Sequence, residues 1–270
     1  MRILATLLDN DLTIDPMKKL FCILFITVAC SPAKKEGQET QDAPASVTNE
    51  VAASLPSLTD SQKAEGWKLL FDGKTLNGWQ IFKARKNNTW EVKDGFLHCR
   101  PLNESVKGDG DERSDLMTTD EFENFEFSCD WKISPKGNSG IIYRATEEFD
   151  QPYYSGPEYQ LIDDAEYTPK PSDKQLTGGS YDMYATAPKT MKPVGEWNSS
   201  KIVVSGKHVD HWLNGQKIVE YDFGSPDWIK RKEASKWKDV KGYGMAAKGH
   251  IDLQDHGHEI WFKNVMIKTL

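Results

Sequence analysis

Three short runs of the sequence carry side chains able to act on a small polar molecule. In the first, Gly156 to Asp164, Glu158 and Gln160 alternate with Tyr159 and Leu161. Successive side chains of a strand point to opposite faces, so Glu158 and Gln160 share the face turned from the core. Asp163 falls opposite them in a regular strand, and a one-residue bulge after Leu161 would bring it back. A carboxyl, an amide and a second carboxyl on one face supply proton transfer and hydrogen-bond partners for hydroxyl groups. For an isolated Glu-x-Gln, a solvated outer face is the simpler reading.

The second run is Lys248 to Gly257. Ile251 and Leu253 form one face, and His250, Asp252, Gln254 and His256 the other. Two imidazoles that titrate near neutral pH are unusual on a plain surface strand, and either could serve as a general base or a metal ligand. The third run, Asn138 to Arg144, puts Arg144 on the strand face of Ile142. There its guanidinium is a candidate clamp for an oxyanion or hydroxyl, or half of a structural ion pair. Tyr143, Tyr153, Tyr154 and Tyr181 are candidate stacking platforms, with core packing the default for each.

The elements that must position these groups are strands. Phe125 to Ile133 alternates apolar and polar residues at every step. Asn214-Gly215 between Lys207–Leu213 and Gln216–Tyr221 predicts a tight hairpin, because both central residues must take positive φ. One helix is expected at 226–236: Ser225 caps it, Pro226 suits its first turn and Asp227 the positive end of its dipole. Many short strands with one late helix predict an all-β antiparallel jelly-roll sandwich. The chain has 270 residues and a formal charge of −7. That balance offers no basic block for nucleic acid, while nine Trp and nine Tyr supply rings for sugar faces or for the core.

The N-terminus reads as a delivery signal. Met17-Lys-Lys, the apolar stretch Leu20–Val28, then Ala29 and Cys30 resemble a bacterial lipoprotein signal, with Thr27 where Leu is usual. Cys30 would carry the lipid, and residues 1–16 read as an over-extended start. Residues 31–60 are polar and poor in large apolar groups, as in a tether, and the folded domain is expected over 61–270. The expected location is the bacterial cell envelope, periplasmic or outer membrane, with membrane contact through that lipid anchor alone. Cys99 and Cys129 either pair or pack as small core residues; the alternation around Cys129 favours packing.

Seven motifs then stand in order: Phe71–Trp79, Ser139–Arg144, Gly156–Gln160, Gly195–Asn198, His211–Gly215, Lys248–Gly257 and Ile260–Val265. Together they resemble the 3-keto-disaccharide hydrolase domain family. The resemblance implies a concanavalin-A-like sandwich acting on glycosides already oxidised at C3. The fold is similar to that of laminarinase-type glycosidases, whose catalytic strand reads Glu-x-Asp-x-x-Glu; here Gln160 cannot ionise, which speaks against two-carboxylate retaining hydrolysis. A C3 ketone acidifies the C2 hydrogen, so removing it allows the aglycone to leave from C1 and water to add. Glu158 or His256 is then the expected base. Arg144, Lys248 or a divalent cation such as Ca²⁺ would face the enolate oxygen. Gln160, Asp163, Tyr181, His250 and Gln254 would hold the sugar. A non-catalytic carbohydrate-binding domain and a conventional glycoside hydrolase remain the alternatives.

Overall fold

The computed structural model describes residues 55–102 and 113–270. The export signal, Cys30 and the tether up to residue 54 lie outside the described residues. The strands are β1 (Lys68–Leu69), β2 (Trp79–Ile81), β3 (Trp90–Lys93), β4 (Phe96–Cys99), β5 (Leu116–Thr118), β6 (Phe125–Ile133) and β7 (Asn138–Ala145). They continue as β8 (Glu158–Ile162), β9 (Asn198–Ser205), β10 (His208–Leu213), β11 (Gln216–Asp222), β12 (His250–Leu253) and β13 (Ile260–Thr269). Helix α1 is Asp60–Ala64 and α2 is Pro226–Glu233. The larger sheet runs β11-β10-β9-β6-β13-β4-β3 with β1 on β13, and the smaller runs β2-β5-β12-β7-β8. Neighbours are antiparallel throughout, as a jelly-roll sandwich requires.

The inner faces meet in one apolar core. Phe125, Phe127, Cys129, Trp131 and Ile133 turn inward from β6 and are buried, while the residues between them are half-buried. They face Ile141, Tyr143, Tyr159, Leu161, Ile251 and Leu253 of the smaller sheet. Cys99 and Cys129 are buried and unpaired, so the packing alternative holds for both. The hairpin forms as expected, with φ of 48° at Asn214 and 83° at Gly215.

Two polar chains cross this core and fix the smaller sheet on the larger. Trp131 Nε1 donates to Ser200 Oγ at 2.8 Å, Ser200 Oγ to Tyr159 Oη at 2.9 Å, and Tyr159 Oη to the Trp212 carbonyl at 3.1 Å. In the other, His211 Nδ1 faces the Gly178 carbonyl at 2.9 Å and therefore carries its proton there. Its Nε2 then accepts from Tyr143 Oη at 2.9 Å, and Tyr221 Oη stands 2.5 Å from Tyr143 Oη. Burial pushes His211 down to about 4, so the imidazole stays neutral. This chain anchors the loop that carries Tyr181.

The helix starts where expected, with Ser225 Oγ accepting from the Trp228 amide. It ends at Glu233, short of Lys236. The Lys236 amide donates to Asp182 Oδ2 at 2.7 Å, and Trp237 is buried against Tyr243, 4.6 Å away and stacked. Burying that indole draws the chain off the helix axis before a third turn can form.

Candidate functional site

Three strands set the floor of a small polar hollow on the outer face of the smaller sheet. Gln254 on the exit of β12 donates its backbone amide to the Gly140 carbonyl of β7, and Gly140 pairs with Gln160 of β8. Gly140 offers no side chain in the middle of this row. A Cβ built there would lie 2.3 Å from Glu158 Oε1, so the glycine makes the space that the Glu158 carboxyl fills. The hollow of about 150 Å³ is lined by Asn138, Tyr153, Glu158, Gln160, Tyr181, Lys236, Gln254 and His256. Its size is on the scale of a single monosaccharide.

Glu158 is only 4% exposed. Burial pushes its carboxyl up to about 8, against which Lys236 pulls downward, while Asp115 adds to the rise. The carboxyl is therefore mainly protonated at neutral pH. The Gln160 amide stands between two partners and can donate to Asn138 Oδ1 at 3.1 Å or, turned over, to Glu158 Oε1 at 2.9 Å. Gln254 Oε1 is buried without a partner and is free to accept from a ligand.

His256 stands exposed at the mouth, its ring stacked on His258 at 5.5 Å. Desolvation and then His258 hold its imidazole below the ordinary value, which favours the neutral, basic form. Its strand exit is tied down by Asp255, whose Oδ1 accepts from Arg113 Nε at 2.8 Å and Nη2 at 2.6 Å and whose Oδ2 accepts from Thr89 Oγ1 at 2.5 Å. The Asp255 amide donates to Asp115 Oδ1 at 2.8 Å.

The opposite wall comes from the loop after β8 and the exit of α2. The Tyr181 amide donates to the Glu158 carbonyl at 3.0 Å, and the Gly178 amide to the Gln160 carbonyl at 2.8 Å. Gly178 has φ of 87°, and a Cβ there would meet Ile218 at 2.2 Å, so glycine is needed for this edge. Tyr181 Oη accepts from Gln175 Nε2, and its carbonyl accepts from Trp237 Nε1 at 2.9 Å. Lys236 Nζ lies 4.0 Å from the Tyr181 ring centre and 4.2 Å from that of Trp237. Burial lowers its pKa, with Glu158 and Asp182 opposing that shift.

Six of the sequence-derived candidates thus meet: Tyr153, Glu158, Gln160, Tyr181, Gln254 and His256. Four others lie elsewhere. Arg144 has φ of 54° next to a register shift in the β7–β12 ladder, so it leaves the face of Ile142. Its Nη2 donates to the Glu123 and Gly206 carbonyls instead. Asp163 follows the last residue of β8 with no bulge, and its oxygens accept from the Lys136, Ala165 and Glu166 amides, which shapes a turn. Lys248 and His250 line a separate depression of about 850 Å³. There Lys248 Nζ pairs with Glu121 at 3.1 Å, and His250 Nδ1 stands 3.2 Å from the Asp120 carbonyl. The bulge between His250 and Ile251 breaks the alternation that linked His250 to Gln254. Asn138 and Lys236 were not singled out from the sequence. Asn138 has the parity of Gly140 on the same strand, a signal that would have found it; Lys236 sits in a turn with no such signal.

Beneath the hollow, Asp252 is wholly buried, with neither carboxyl oxygen accepting from a donor. Burial first, then Asp115, pushes it well above the usual carboxyl range, and Asp115 itself is pushed up to about 7 by burial. Both effects favour the protonated form of the Asp252 carboxyl. The described group whose ligand atoms could share one ion is His208, Asp210 and Glu220 on β10 and β11. Lys217 Nζ already lies 2.5 Å from Glu220 and 3.3 Å from Asp210 there.

Fold and hollow together define a jelly-roll protein with a polar hollow on one sheet that combines a protonated carboxyl, a neutral imidazole and an ammonium group. The chain belongs to the 3-keto-alpha-glucoside-1,2-lyase-like domain family, which it matches over residues 66–268. It is 35% identical to a 3-keto-disaccharide hydrolase of Bacteroides thetaiotaomicron, over 94% of this chain and all of that one. Among solved structures, a Parabacteroides distasonis protein named provisionally as a glycosyl hydrolase shares 38% identity, with a TM-score of 0.73 over 80% of this chain and all of that one. A second such protein of that organism shares 28% identity and a TM-score of 0.56, over 76% of this chain and 99% of that one.

Proposed function

We propose that this protein cleaves the glycosidic bond of 3-keto-disaccharides or other 3-keto-glycosides by elimination followed by hydration. One observation carries the mechanistic half of the reading: among the described residues lining the hollow, Glu158 is the sole carboxyl. A retaining glycosidase needs a nucleophile and an acid, two carboxyls ~5–5.5 Å apart. Asp163, where the second would be sought, caps a turn outside the hollow, and Gln160 between it and Glu158 is an amide that cannot ionise. The relative's own substrate class supplies the other half.

His256 takes the proton from C2 as the neutral base. The C2–H electrons form an enolate whose negative oxygen at C3 is met by Lys236. Collapse of the enolate re-forms the C3 ketone, makes a C1–C2 double bond and breaks the bond from C1 to the aglycone oxygen. Glu158 gives that oxygen its proton, so the aglycone leaves as an alcohol. Water then adds to C1 and a proton returns to C2, which yields the free 3-keto-sugar. Asn138, Gln160, Gln254 and Tyr181 hold hydroxyl groups meanwhile. Lys236 meets the need that a divalent cation would otherwise fill. Such an ion would find Glu158, His256 and the free Gln254 oxygen as ligands, at the cost of like-charge repulsion from that ammonium.

The protein is further proposed to act in the cell envelope, held there by lipid on Cys30. Retention of the Cys30→Ser protein in membranes would refute the anchor. The reaction itself is tested with a 3-keto-glucoside and its unoxidised parent side by side. Cleavage of the keto form alone supports the reading. Cleavage of the parent favours conventional hydrolysis, and binding without turnover favours a carbohydrate-binding domain.

A further inference from the structure

Arg144 is 6% exposed, and among the described residues no carboxylate forms an ion pair with it; Glu123 favours its charge only through space. Its two hydrogen bonds both leave from Nη2 and end on backbone carbonyls, at 2.9 Å to Glu123 and 2.8 Å to Gly206. These satisfy two of the five N–H groups and neutralise no charge. Nε is buried with no partner. The Phe223 ring lies 5.3 Å from the guanidinium and contributes a π face rather than a counter-ion. Burying a charge without a partner is costly, and the cost is ordinarily relieved by an anion that bonds the remaining donors.

The room for such an anion is present. Arg144 borders a cavity of about 380 Å³ whose wall includes Lys207, Phe223, Trp228, Gly206 and Gly244, with Glu123 the one acidic residue on it. A second cation, Lys207, therefore stands on the same cavity and is exposed. The backbone at Arg144 is held at φ of 54°, a conformation that non-glycine residues adopt at a cost. The carbonyl bonds aim the guanidinium once that cost is met. Arg144 lies four residues beyond Gly140 on β7, roughly 13 Å at ~3.3 Å per residue, so this cavity is not the hollow.

We propose that the cavity at Arg144 and Lys207 is a second binding site, for a carboxylate or similar small oxyanion such as that of an acidic sugar. The guanidinium fork suits such a group, and the Trp228 and Phe223 rings border the cavity where a sugar body would extend. The site stands independently of the reaction proposed above. Sodium glucuronate and sodium sulfate are the probes, with glucose as the uncharged control, at constant ionic strength by titration calorimetry. Saturable millimolar binding of glucuronate, with none of glucose, is expected; binding of sulfate as well would mark a general oxyanion site, and both outcomes support the proposal. Arg144→Gln keeps an N–H for the carbonyls and should weaken binding at least ~10-fold. Circular dichroism checks its fold, and if it does not fold the decision passes to the exposed Lys207→Ala, expected to weaken binding several-fold. The proposal is overturned if neither probe binds saturably. It is equally overturned if natively folded Arg144→Gln, or Lys207→Ala where Arg144→Gln does not fold, binds as wild type does.

Discussion

Glu158→Gln replaces the buried carboxyl with an amide of the same shape and removes its titration. In the folded protein burial holds this carboxyl up to about 8, against 4.5 for the free side chain. Between those values the folded state binds more protons than the unfolded state. Stability therefore falls as pH rises through the window, with the full contribution present only below it. At ~1.4 kcal/mol per pH unit the whole shift amounts to roughly 5 kcal/mol. Between about pH 5.5 and pH 7.5 the unfolded carboxyl is ionised and the folded one still mostly protonated, so roughly 2–3 kcal/mol should be lost there. Urea unfolding of wild type and variant, monitored by circular dichroism at both pH values, isolates the effect, because the other titrating groups cancel in the difference. The variant should gain roughly 2–3 kcal/mol on wild type across that interval. A difference that stays constant, or moves the other way, would show that Glu158 is ionised in the fold and cannot be the proton donor.

The remaining expectations concern turnover. The pH profile of kcat/KM should be a bell: an acid limb below 6.5 from His256 and an alkaline limb near 8 from Glu158. His256→Ala should lower kcat by at least ~10²-fold, and a wild-type rate would remove His256 from the reaction. Lys236→Met should cost ~10²–10³-fold in kcat with KM little changed, and dialysis against a chelator should leave the wild-type rate intact. Loss of activity with the chelator would instead give the electrophile's part to a metal ion. Gly140→Ala forces a Cβ against the Glu158 carboxyl. It should cost about 1–3 kcal/mol of stability and most of the turnover, whereas normal kinetics in a folded variant would show that this carboxyl need not occupy its present place.

How far the sequence revealed the site depended on how regular each strand is. The period-2 rule placed Glu158 with Gln160 and put Gln254 on the outer face of its own strand; the sheet order then joins them, although β8 and β12 are separated by β7 and by nearly ninety residues in sequence. The same rule failed at Arg144 and His250, which flank the register shift between β7 and β12, because a bulge resets the parity of the residues beyond it. Asp163 was misplaced for the opposite reason: the bulge expected before it is absent, and β8 stops at Ile162. Alternation also identified β6, and the positive-φ pair Asn214-Gly215 fixed the β10–β11 turn. Lys236 was illegible because it owes its position to burial of Trp237 and to the Asp182 carboxylate, contacts between segments distant in sequence. The influence of Asp115 on Asp252 needed the sheet order before the two residues could be known as neighbours.

The most direct measurement tracks the hydrogen at C2. A 3-keto-glucoside protonated at that carbon is cleaved in D₂O, and the initial 3-keto-sugar product is read by proton NMR before it can exchange in solution. Abstraction, elimination and hydration put deuterium at C2 as fast as the aglycone appears, and the His256→Ala protein does neither. Release of aglycone with the original hydrogen still at C2 would mean that the bond is broken by direct displacement at C1, and the roles given to His256, Lys236 and Glu158 would be wrong.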